Sequence, residues 1–229
     1  MLNLWYKIRW RFTKTKPTRT DGTGVIDMDF SSIDWDFWNK YYATHNEYGS
    51  GVLPMLSMIQ GNKLISMTND DETYPFKTGY LCTKGKFAQK FGTFELTCKV
   101  PSEGKKYWSA FWMFSERWLP EVDIFEFMGK SAKSFSTTLH YGDVQNHTQK
   151  GRSLRGQDLS KGFHKYTLKW TPTMLKWYVD DIAVYKLTKN IPQEPMWVLI
   201  NGMGDIRGGF IGEDECGVFE LKRLLIKMI

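Results

Sequence analysis

Short apolar runs, separated by turn-forming residues, dominate the chain from about residue 25 onwards. Each run is rich in β-branched or aromatic residues and is bounded by Gly, Pro, Asn or Asp. The runs lie at 25–30, 63–68, 92–100, 165–170, 175–179, 196–200 and 219–228. This pattern predicts an all-β protein, a β-sandwich of two antiparallel sheets. Asp180-Asp181, between the run at 175–179 and the apolar segment Ala183-Val-Tyr185, predicts a tight hairpin.

The segment 121–126, Glu-Val-Asp-Ile-Phe-Glu, departs from the alternation expected of a strand. Glu121 and Asp123 share one face of an extended chain, and the apolar residues share the other. Glu126 has the parity of the apolar residues, so it would be buried without a partner, which is costly. One extra residue, Phe125 or a neighbour, would form a β-bulge and return Glu126 to the face of the other two acids.

Three carboxyl groups on one face suggest a specific chemistry, glycoside hydrolysis. That reaction uses one ionised carboxylate and a second carboxyl group that keeps its proton and acts as general acid. Closely spaced carboxylates resist ionising together, which raises the pKa of one of them. A solvated acidic strand face remains the alternative for such a run taken by itself.

The segment 107–114, Tyr-Trp-Ser-Ala-Phe-Trp-Met-Phe, is aromatic on both of its strand faces. A strand of this kind has one face in a core and the other covered by something flat and apolar. Sugar rings present flat C–H faces to tryptophan. Beside the acidic strand, sugar binding is favoured over ordinary core packing for Trp112.

Several sequence blocks, in this order and spacing, resemble family 16 of the glycoside hydrolases. The blocks are Thr83-Lys-Gly-Lys-Phe87, Phe91-Gly-Thr-Phe-Glu95, Trp108-Ser-Ala-Phe-Trp112, Glu121-Val-Asp-Ile-Phe-Glu126, Leu139-His-Tyr-Gly142, Gly162-Phe-His-Lys-Tyr166, Trp170-Thr-Pro172, Trp177-Tyr-Val-Asp180 and Leu199-Ile-Asn-Gly202. The six-residue acid motif resembles the bulged branch of that family, which holds laminarinases, agarases, carrageenases and porphyranases. The resemblance implies a jelly roll with a concave substrate cleft.

The resemblance also implies roles for the three acids. Glu121 would be the nucleophile, Glu126 the acid/base and Asp123 the helper of the nucleophile, with retention of anomeric configuration. The expected activity is endo-cleavage of a β-linked polysaccharide. A β-1,3- or mixed-linkage glucan is slightly preferred over a galactan, because Glu126-Phe-Met-Gly resembles the laminarinase-like side of the family.

Four further residues are candidates for substrate binding. By the resemblance, Trp112 packs against the sugar next to the cleaved bond and His140 reaches the acids from a neighbouring strand. Trp108 shares the parity of Trp112. Trp118 precedes the acidic strand and would lie at the edge of the cleft. A merely hydrogen-bonded strand histidine is the alternative for His140.

The remaining histidines, His45, His147 and His164, are interpreted as structural or solvated. None of them falls in a cluster with metal-ligand spacing, so no metal is expected in the chemistry. The resemblance raises a structural calcium, but Lys222 stands where the family carries an acid, which argues against that ion.

Residues 1–22 form a basic, aromatic arm before the expected catalytic domain, residues 23–229. Basic residues interrupt its apolar positions, so it does not read as a secretory signal peptide, and no stretch approaches the roughly 20 apolar residues of a membrane span. The expected site of action is extracellular or associated with a phage particle. The arm accounts for most of the net charge of +6, so nucleic acid is not an expected partner, although a sulfated polymer stays open.

Cys82, Cys98 and Cys216 are an odd set without close spacing, which suggests buried thiols and at most one disulfide. The expected species is a monomer with a polysaccharide substrate. The alternative class is a non-catalytic carbohydrate-binding module or virion adhesin on the same sandwich. Such a module would gain nothing from three clustered acids, whose repulsion and desolvation destabilise a domain, and this favours the enzyme. A structural jelly roll with an accidental acidic strand is the third reading.

Overall fold

The computed structural model describes residues 24–39, 58–68, 76–102, 107–128, 131–204 and 216–229. The expected N-terminal arm and His45 lie outside these residues. Within them the protein is all-β, a sandwich of two antiparallel sheets, which confirms the predicted fold class. No helix in this part of the chain is long and apolar enough to cross a membrane.

The larger sheet has nine strands among the described residues. They are β1 (Val25–Asp29), β2 (Ile59–Gln60), β3 (Lys63–Thr68), β4 (Phe76–Lys77), β6 (Gly92–Lys99), β11 (His164–Thr171), β12 (Met174–Val179), β13 (Ile182–Leu187) and β15 (Cys216–Lys227). Their order is β13-β12-β11-β6-β15-β3-β2, with β1 paired to β15 and β4 paired to β3.

The smaller sheet has six strands in the same described ranges and the order β10-β9-β8-β7-β14-β5. They are β5 (Gly79–Cys82), β7 (Tyr107–Ser115), β8 (Trp118–Met128), β9 (Ser134–Tyr141), β10 (Thr148–Arg155) and β14 (Trp197–Gly204). The acidic segment therefore lies in β8, between β7 and β9 near the middle of this sheet.

The apolar core lies between the two sheets and is largely aromatic. Alternation along β6 shows how the sequence builds it, since Phe94, Leu96 and Cys98 are fully buried while the residues between them are partly exposed. Trp170 and Trp177, from the larger sheet, are among the largest side chains in this core. Burial of many such rings is the main source of the stability of the sandwich.

Most predicted apolar runs match strands, with differences at their ends. The run at 196–200 differs most, because β14 continues to Gly204 through Asn201, a buried polar residue. The pattern of apolar positions does not reveal that this amide has hydrogen-bond partners in the folded chain. Asp180 and Asp181 form the predicted hairpin, and both have positive φ, 48° and 67°.

Cys82 and Cys98 are buried free thiols, as expected. They lie in different apolar clusters of the protein. Burial raises the pKa of Cys82 to about 12. The side chain of Cys216 is outside the described part. Lys222 is exposed on β15, with its ammonium group 5.4 Å from the centre of the Phe163 ring.

Candidate active site

A β-bulge in β8 places the three acids on one face of the smaller sheet. Opposite them on β7, Glu121 pairs with Phe114, Asp123 with Trp112 and Glu126 with Ala110. The register shifts between Phe111 and Trp112 on one side, and between Asp123 and Glu126 on the other. The bulge that the parity of the sequence required is therefore present, and its extra residue is Ile124.

The apolar residues of the bulge explain why it forms here. Ile124 and Phe125 are consecutive, yet both are buried in the core between the sheets. The Phe125 ring lies 4.3 Å from that of Tyr166 in the opposite sheet, measured between centroids. Since the bulge buries two apolar side chains in succession, it keeps Glu126 out of the core.

The larger sheet satisfies a backbone group at this bulge. The indole nitrogen of Trp177 donates a hydrogen bond of 2.9 Å to the main-chain carbonyl of Asp123. A bulge disrupts the strand ladder, and an unpaired buried carbonyl is costly. Trp177 therefore stabilises the irregular backbone that carries the acids.

Glu121 is held by a tryptophan from the start of its own strand. Trp118 donates a hydrogen bond of 2.6 Å from Nε1 to Oε2 of Glu121. Trp118 has a φ of 75°, an uncommon conformation for a large side chain. His140 of β9 lies across the strand pair, with Nε2 4.0 Å from Oε1 of Glu121. The Glu121 side chain is 15% exposed, so it is largely withdrawn from solvent.

Asp123 is the most buried of the acids, with a side chain that is 3% exposed. Its Oδ2 lies 3.0 Å from Nε2 of His140. His140 therefore contacts the carboxyl cluster formed by Glu121, Asp123 and Glu126. The position predicted for His140, reaching the acids from a neighbouring strand, is the position the structure gives it.

Glu126 has two hydrogen-bond donors of its own. Trp108 donates from Nε1 to Oε1 at 3.1 Å, and the Ser136 hydroxyl lies 3.5 Å from Oε2. Of the two tryptophans that share this parity, Trp108 and Trp112, it is Trp108 that bonds an acid directly. Each glutamate therefore has its own indole N–H donor, Trp118 for Glu121 and Trp108 for Glu126.

Burial dominates the electrostatics of the carboxyl cluster. Desolvation raises the pKa of Glu121 well above its usual value, and the charge of Asp123 raises it further. Desolvation also raises the pKa of Asp123 well above its usual range, followed by the charge of Glu126. The pKa of Glu126 is raised by burial as well, but His140 and the hydrogen bond from Trp108 oppose that rise. Raised pKa values of this kind allow one carboxyl group to hold a proton while another is ionised.

Trp112 lies on the same face but does not contact an acid through its indole nitrogen. That nitrogen donates to Oδ1 of Asn201 at 2.6 Å, and the amide of Asn201 donates to the backbone carbonyl of Trp108 at 3.2 Å. The Trp112 ring stacks on Phe114, with centroids 5.3 Å apart. Asn201 thus hydrogen-bonds both Trp112 and Trp108. It was not among the predicted site residues.

The interpretation of His147 as structural or solvated missed its contact with the site. Its Nε2 lies 2.8 Å from Nδ1 of His140, and its ring packs 5.3 Å from that of Trp118. Partial desolvation lowers the pKa of His147, and the neighbouring His140 lowers it further. No local signal marks this histidine, because the β9–β10 loop brings it back over the sheet. His164 does have a structural role, since its Nδ1 lies 2.7 Å from Oδ2 of Asp180.

Among the described residues, one group has ligand atoms close enough to hold a metal ion: Glu121, Asp123 and His140. Their candidate ligand atoms lie within 4.8 Å of one another. The short contact between His140 and Asp123 already accounts for this spacing as a hydrogen bond.

A two-sheet sandwich that carries clustered carboxyl groups and tryptophans on one sheet face has the architecture of a jelly-roll glycoside hydrolase. Comparison with known protein families agrees with this architecture. The family model of the glycosyl hydrolases family 16 matches residues 40–206. The chain belongs to this family.

Individual relatives fall in the same family. The chain is 31% identical to the endo-1,3-1,4-β-glycanase EglC of Rhizobium meliloti over 180 residues, which are 75% of this chain and 38% of that protein. It is 33% identical to the endo-1,3-1,4-β-glycanase ExsH of the same organism over 139 residues, 59% of this chain and 30% of that protein. The chain therefore spans less than half the length of these curated relatives.

Solved structures show the same fold at lower sequence identity. A family 16 protein of the Bacteroides ovatus mixed-linkage glucan system, solved in complex with a product, superposes with a TM-score of 0.75 at 20% identity, covering 88% of this chain and 99% of that one. The laminarinase catalytic domain of Thermotoga maritima gives a TM-score of 0.74 at 20% identity, covering 89% and 97%. At these identities the likeness is one of fold.

Proposed function

We propose that this protein is an endo-acting, retaining glycoside hydrolase that cleaves a β-1,3- or mixed-linkage β-glucan. The observation that carries the proposal is the bulge in β8, which sets Glu121, Asp123 and Glu126 on one tryptophan-lined sheet face. Burying three carboxyl groups together destabilises a domain, and the cost is understandable where their shifted pKa values serve proton transfer.

Glu121 is the proposed nucleophile and Glu126 the proposed acid/base. In the first step the Glu121 carboxylate attacks the anomeric carbon and the glycosidic C–O bond breaks. Glu126 gives its proton to the departing oxygen. In the second step Glu126 takes a proton from water, the resulting hydroxide attacks the anomeric carbon, and the Glu121 carboxylate leaves.

The hydrogen bonds around the two glutamates fit these roles. The Trp118 N–H stabilises the ionised form of Glu121, as a nucleophile requires. Burial favours the protonated form of Glu126, as a general acid requires. Burial also raises the pKa of Glu121, so ionisation of the nucleophile depends on His140 and the Trp118 N–H. Asp123, between them, raises the pKa of Glu121 and helps to distribute the protons of the cluster. All steps use carboxyl groups and water, so the proposed reaction calls for no metal or cofactor.

The glucan preference is supported by the relatives. The first curated relatives are named as endo-1,3-1,4-β-glycanases, and one superposed structure is a mixed-linkage glucan enzyme. Trp112 and Trp108 are the proposed sugar-stacking residues, with His140 and Trp118 beside the acids. A polysaccharide is thus the proposed partner, and the proposed species is a monomer.

The test is a reducing-end assay on barley mixed-linkage glucan, laminarin, agarose and κ-carrageenan. The wild type and the variants Glu121→Gln, Glu126→Gln and Glu116→Gln are compared, because Glu116 is an exposed acid in the adjacent β7–β8 hairpin. Cleavage of a glucan by the wild type and Glu116→Gln, with loss in the other two variants, is expected. NMR of the first product should show the β-anomer before mutarotation.

Two results would contradict the proposal. Glucan binding without cleavage would point to the non-catalytic binding module. Full activity in a folded Glu121→Gln variant would remove Glu121 from its role.

A further inference from the structure

His147 makes a direct contact with the histidine that touches the carboxyl cluster. The two imidazole planes are near-parallel, with an interplanar angle of 20° and centroids 5.0 Å apart. Nε2 of His147 lies 2.8 Å from Nδ1 of His140, a hydrogen-bond distance. The two rings therefore meet edge to edge through this hydrogen bond, without stacking face to face.

The hydrogen-bond roles of the two histidines follow from the donor and acceptor inventory of imidazole. Nε2 of His140 faces Oδ2 of Asp123 at 3.0 Å, so when Asp123 is ionised this nitrogen carries a hydrogen and donates to the carboxylate. Nδ1 of neutral His140 then has a lone pair and can only accept. His147 supplies the donor through its Nε2–H. The order of donation is His147 to His140 to Asp123.

His147 also contacts Trp118, which hydrogen-bonds Glu121 of the carboxyl cluster. Its ring centre lies 5.3 Å from that of Trp118, whose Nε1 donates to Glu121 at 2.6 Å. One side chain thus contacts both groups that hold Glu121 and Asp123.

The loop that carries His147 has a defined conformation. Oδ1 of Asp143 accepts hydrogen bonds from the backbone N–H groups of Gln145 at 2.9 Å and Asn146 at 2.8 Å. Gly142 has a φ of 100°, and a Cβ atom there would lie 2.3 Å from the carbonyl oxygen of Asn146. The loop is therefore built around a position that only glycine tolerates, and His147 is its last residue before β10 begins at Thr148.

We propose that His147 is a positioning residue for the reaction: its Nε2–H fixes the tautomer and the position of His140, and its ring packs beside Trp118. The inference rests on the proposed hydrolase function. It predicts that His147 acts on the chemical step rather than on substrate affinity, because it reaches the acids only through His140 and Trp118.

Two variants separate the hydrogen bond from the ring. His147→Phe keeps an aromatic ring beside Trp118 but removes the N–H donor to His140, whereas His147→Gln offers an amide N–H at a similar reach and loses the ring. On the glucan that the wild type cleaves, we expect His147→Phe to lower kcat about tenfold, as losing an orienting partner commonly does, with little change in KM. His147→Gln should recover most of that loss. His164→Phe is the control, since His164 bonds Asp180 on the other sheet.

A second readout does not depend on turnover. Side-chain ¹⁵N NMR of the histidines should show His140 as the Nε2–H tautomer in the wild type and in His147→Gln, and a mixture in His147→Phe. An unchanged His140 tautomer in His147→Phe, or equal kcat in the two variants, overturns the inference. A wild type that cleaves no glucan would instead defeat the proposed function, and the NMR comparison would still decide the role of His147.

Discussion

The indole of Trp177 donates a hydrogen bond of 2.9 Å to the main-chain carbonyl of Asp123, from one sheet of the sandwich to the other. The bond is buried and joins residues 54 positions apart. It connects the aromatic core directly to the bulge on which the three acids depend. The stability of the fold and the geometry of the carboxyl cluster are therefore coupled at this contact.

Trp177→Phe tests that coupling. Losing the N–H leaves the buried carbonyl unsatisfied, so the free energy of unfolding should fall by about 1–3 kcal/mol. The acids should also shift as the bulge relaxes, and kcat should fall on the order of tenfold or more, because small misplacements of reacting groups are costly. Urea unfolding and initial rates on a β-glucan measure the two effects.

Trp170→Phe is the matched control for this variant. Trp170 is also fully buried in the larger sheet and donates to a carbonyl, that of Pro192, at 3.1 Å. It should lose similar stability but keep kcat. Equal losses of kcat in both variants would mean that Trp177 has no special relation to the bulge.

Trp108→Phe should move the alkaline limb of the pH–rate profile. The Trp108 N–H bonds the ionised form of Glu126 and thereby lowers the pKa of that carboxyl group. Without this bond the pKa rises further, the acid keeps its proton to higher pH, and the alkaline limb of kcat/KM shifts upward. Initial rates between about pH 5 and pH 9 measure the shift, a range that spans neutrality.

Trp112→Phe serves as the comparison, because the Trp112 indole bonds Asn201 rather than an acid. It should raise KM through weaker sugar stacking and leave the alkaline limb in place. A shift of that limb in Trp112→Phe as large as in Trp108→Phe would refute the distinction between the two tryptophans.

Glu126→Gln should stabilise the fold at alkaline pH while abolishing activity. Burial raises the folded-state pKa of Glu126 above its usual value of 4.5. A carboxyl group with a raised folded pKa contributes stability below its unfolded pKa and loses that contribution as the pH rises through its folded pKa. The gain in Tm of Glu126→Gln over the wild type should therefore be small at about pH 4, near the usual pKa, and larger at about pH 8.

Thermal unfolding across this pH range is the measurement. Glu194→Gln removes the same charge from an exposed loop position and measures the effect of net charge alone. A constant difference in Tm between Glu126→Gln and the wild type would show that the carboxyl group is not penalised by burial.

Lys176→Glu should stabilise the larger sheet. Lys176 pairs directly with Lys169 on β11 and with Lys186 on β13, so three ammonium groups lie in one cross-strand row. Like charges in such positions repel, and an opposite-charge pair contributes about 0.2–1 kcal/mol. The variant should therefore raise the free energy of unfolding, and the gain should shrink in high salt.

Lys189→Glu makes the same charge change at an exposed loop position outside this row. It should leave the free energy of unfolding nearly unchanged. If both variants gave the same gain in urea unfolding, the effect would come from net charge and not from the lysine row.

The alternation of apolar and polar residues predicts several of the strands and the need for the bulge. Side chains alternate in any strand, so the parity of Glu126 against Glu121 required one extra residue, and the structure has it at Ile124. Trp108 and Trp112, which share their parity in the strand before it, lie on the face of the acids for the same reason. These inferences use only neighbours along the chain, whose geometry is nearly independent of the rest of the protein.

The residues that hydrogen-bond or pack around the acids come together through the tertiary structure alone. Trp177, Asn201 and His147 lie far from the acidic segment in the sequence, and each reaches the site through packing between strands or a loop that folds back. Alternation predicts the face on which a side chain lies, but not the atom that it meets across a sheet or a core. The bulge could thus be predicted from the chain, whereas the hydrogen bonds that hold it exist only once distant strands are in register.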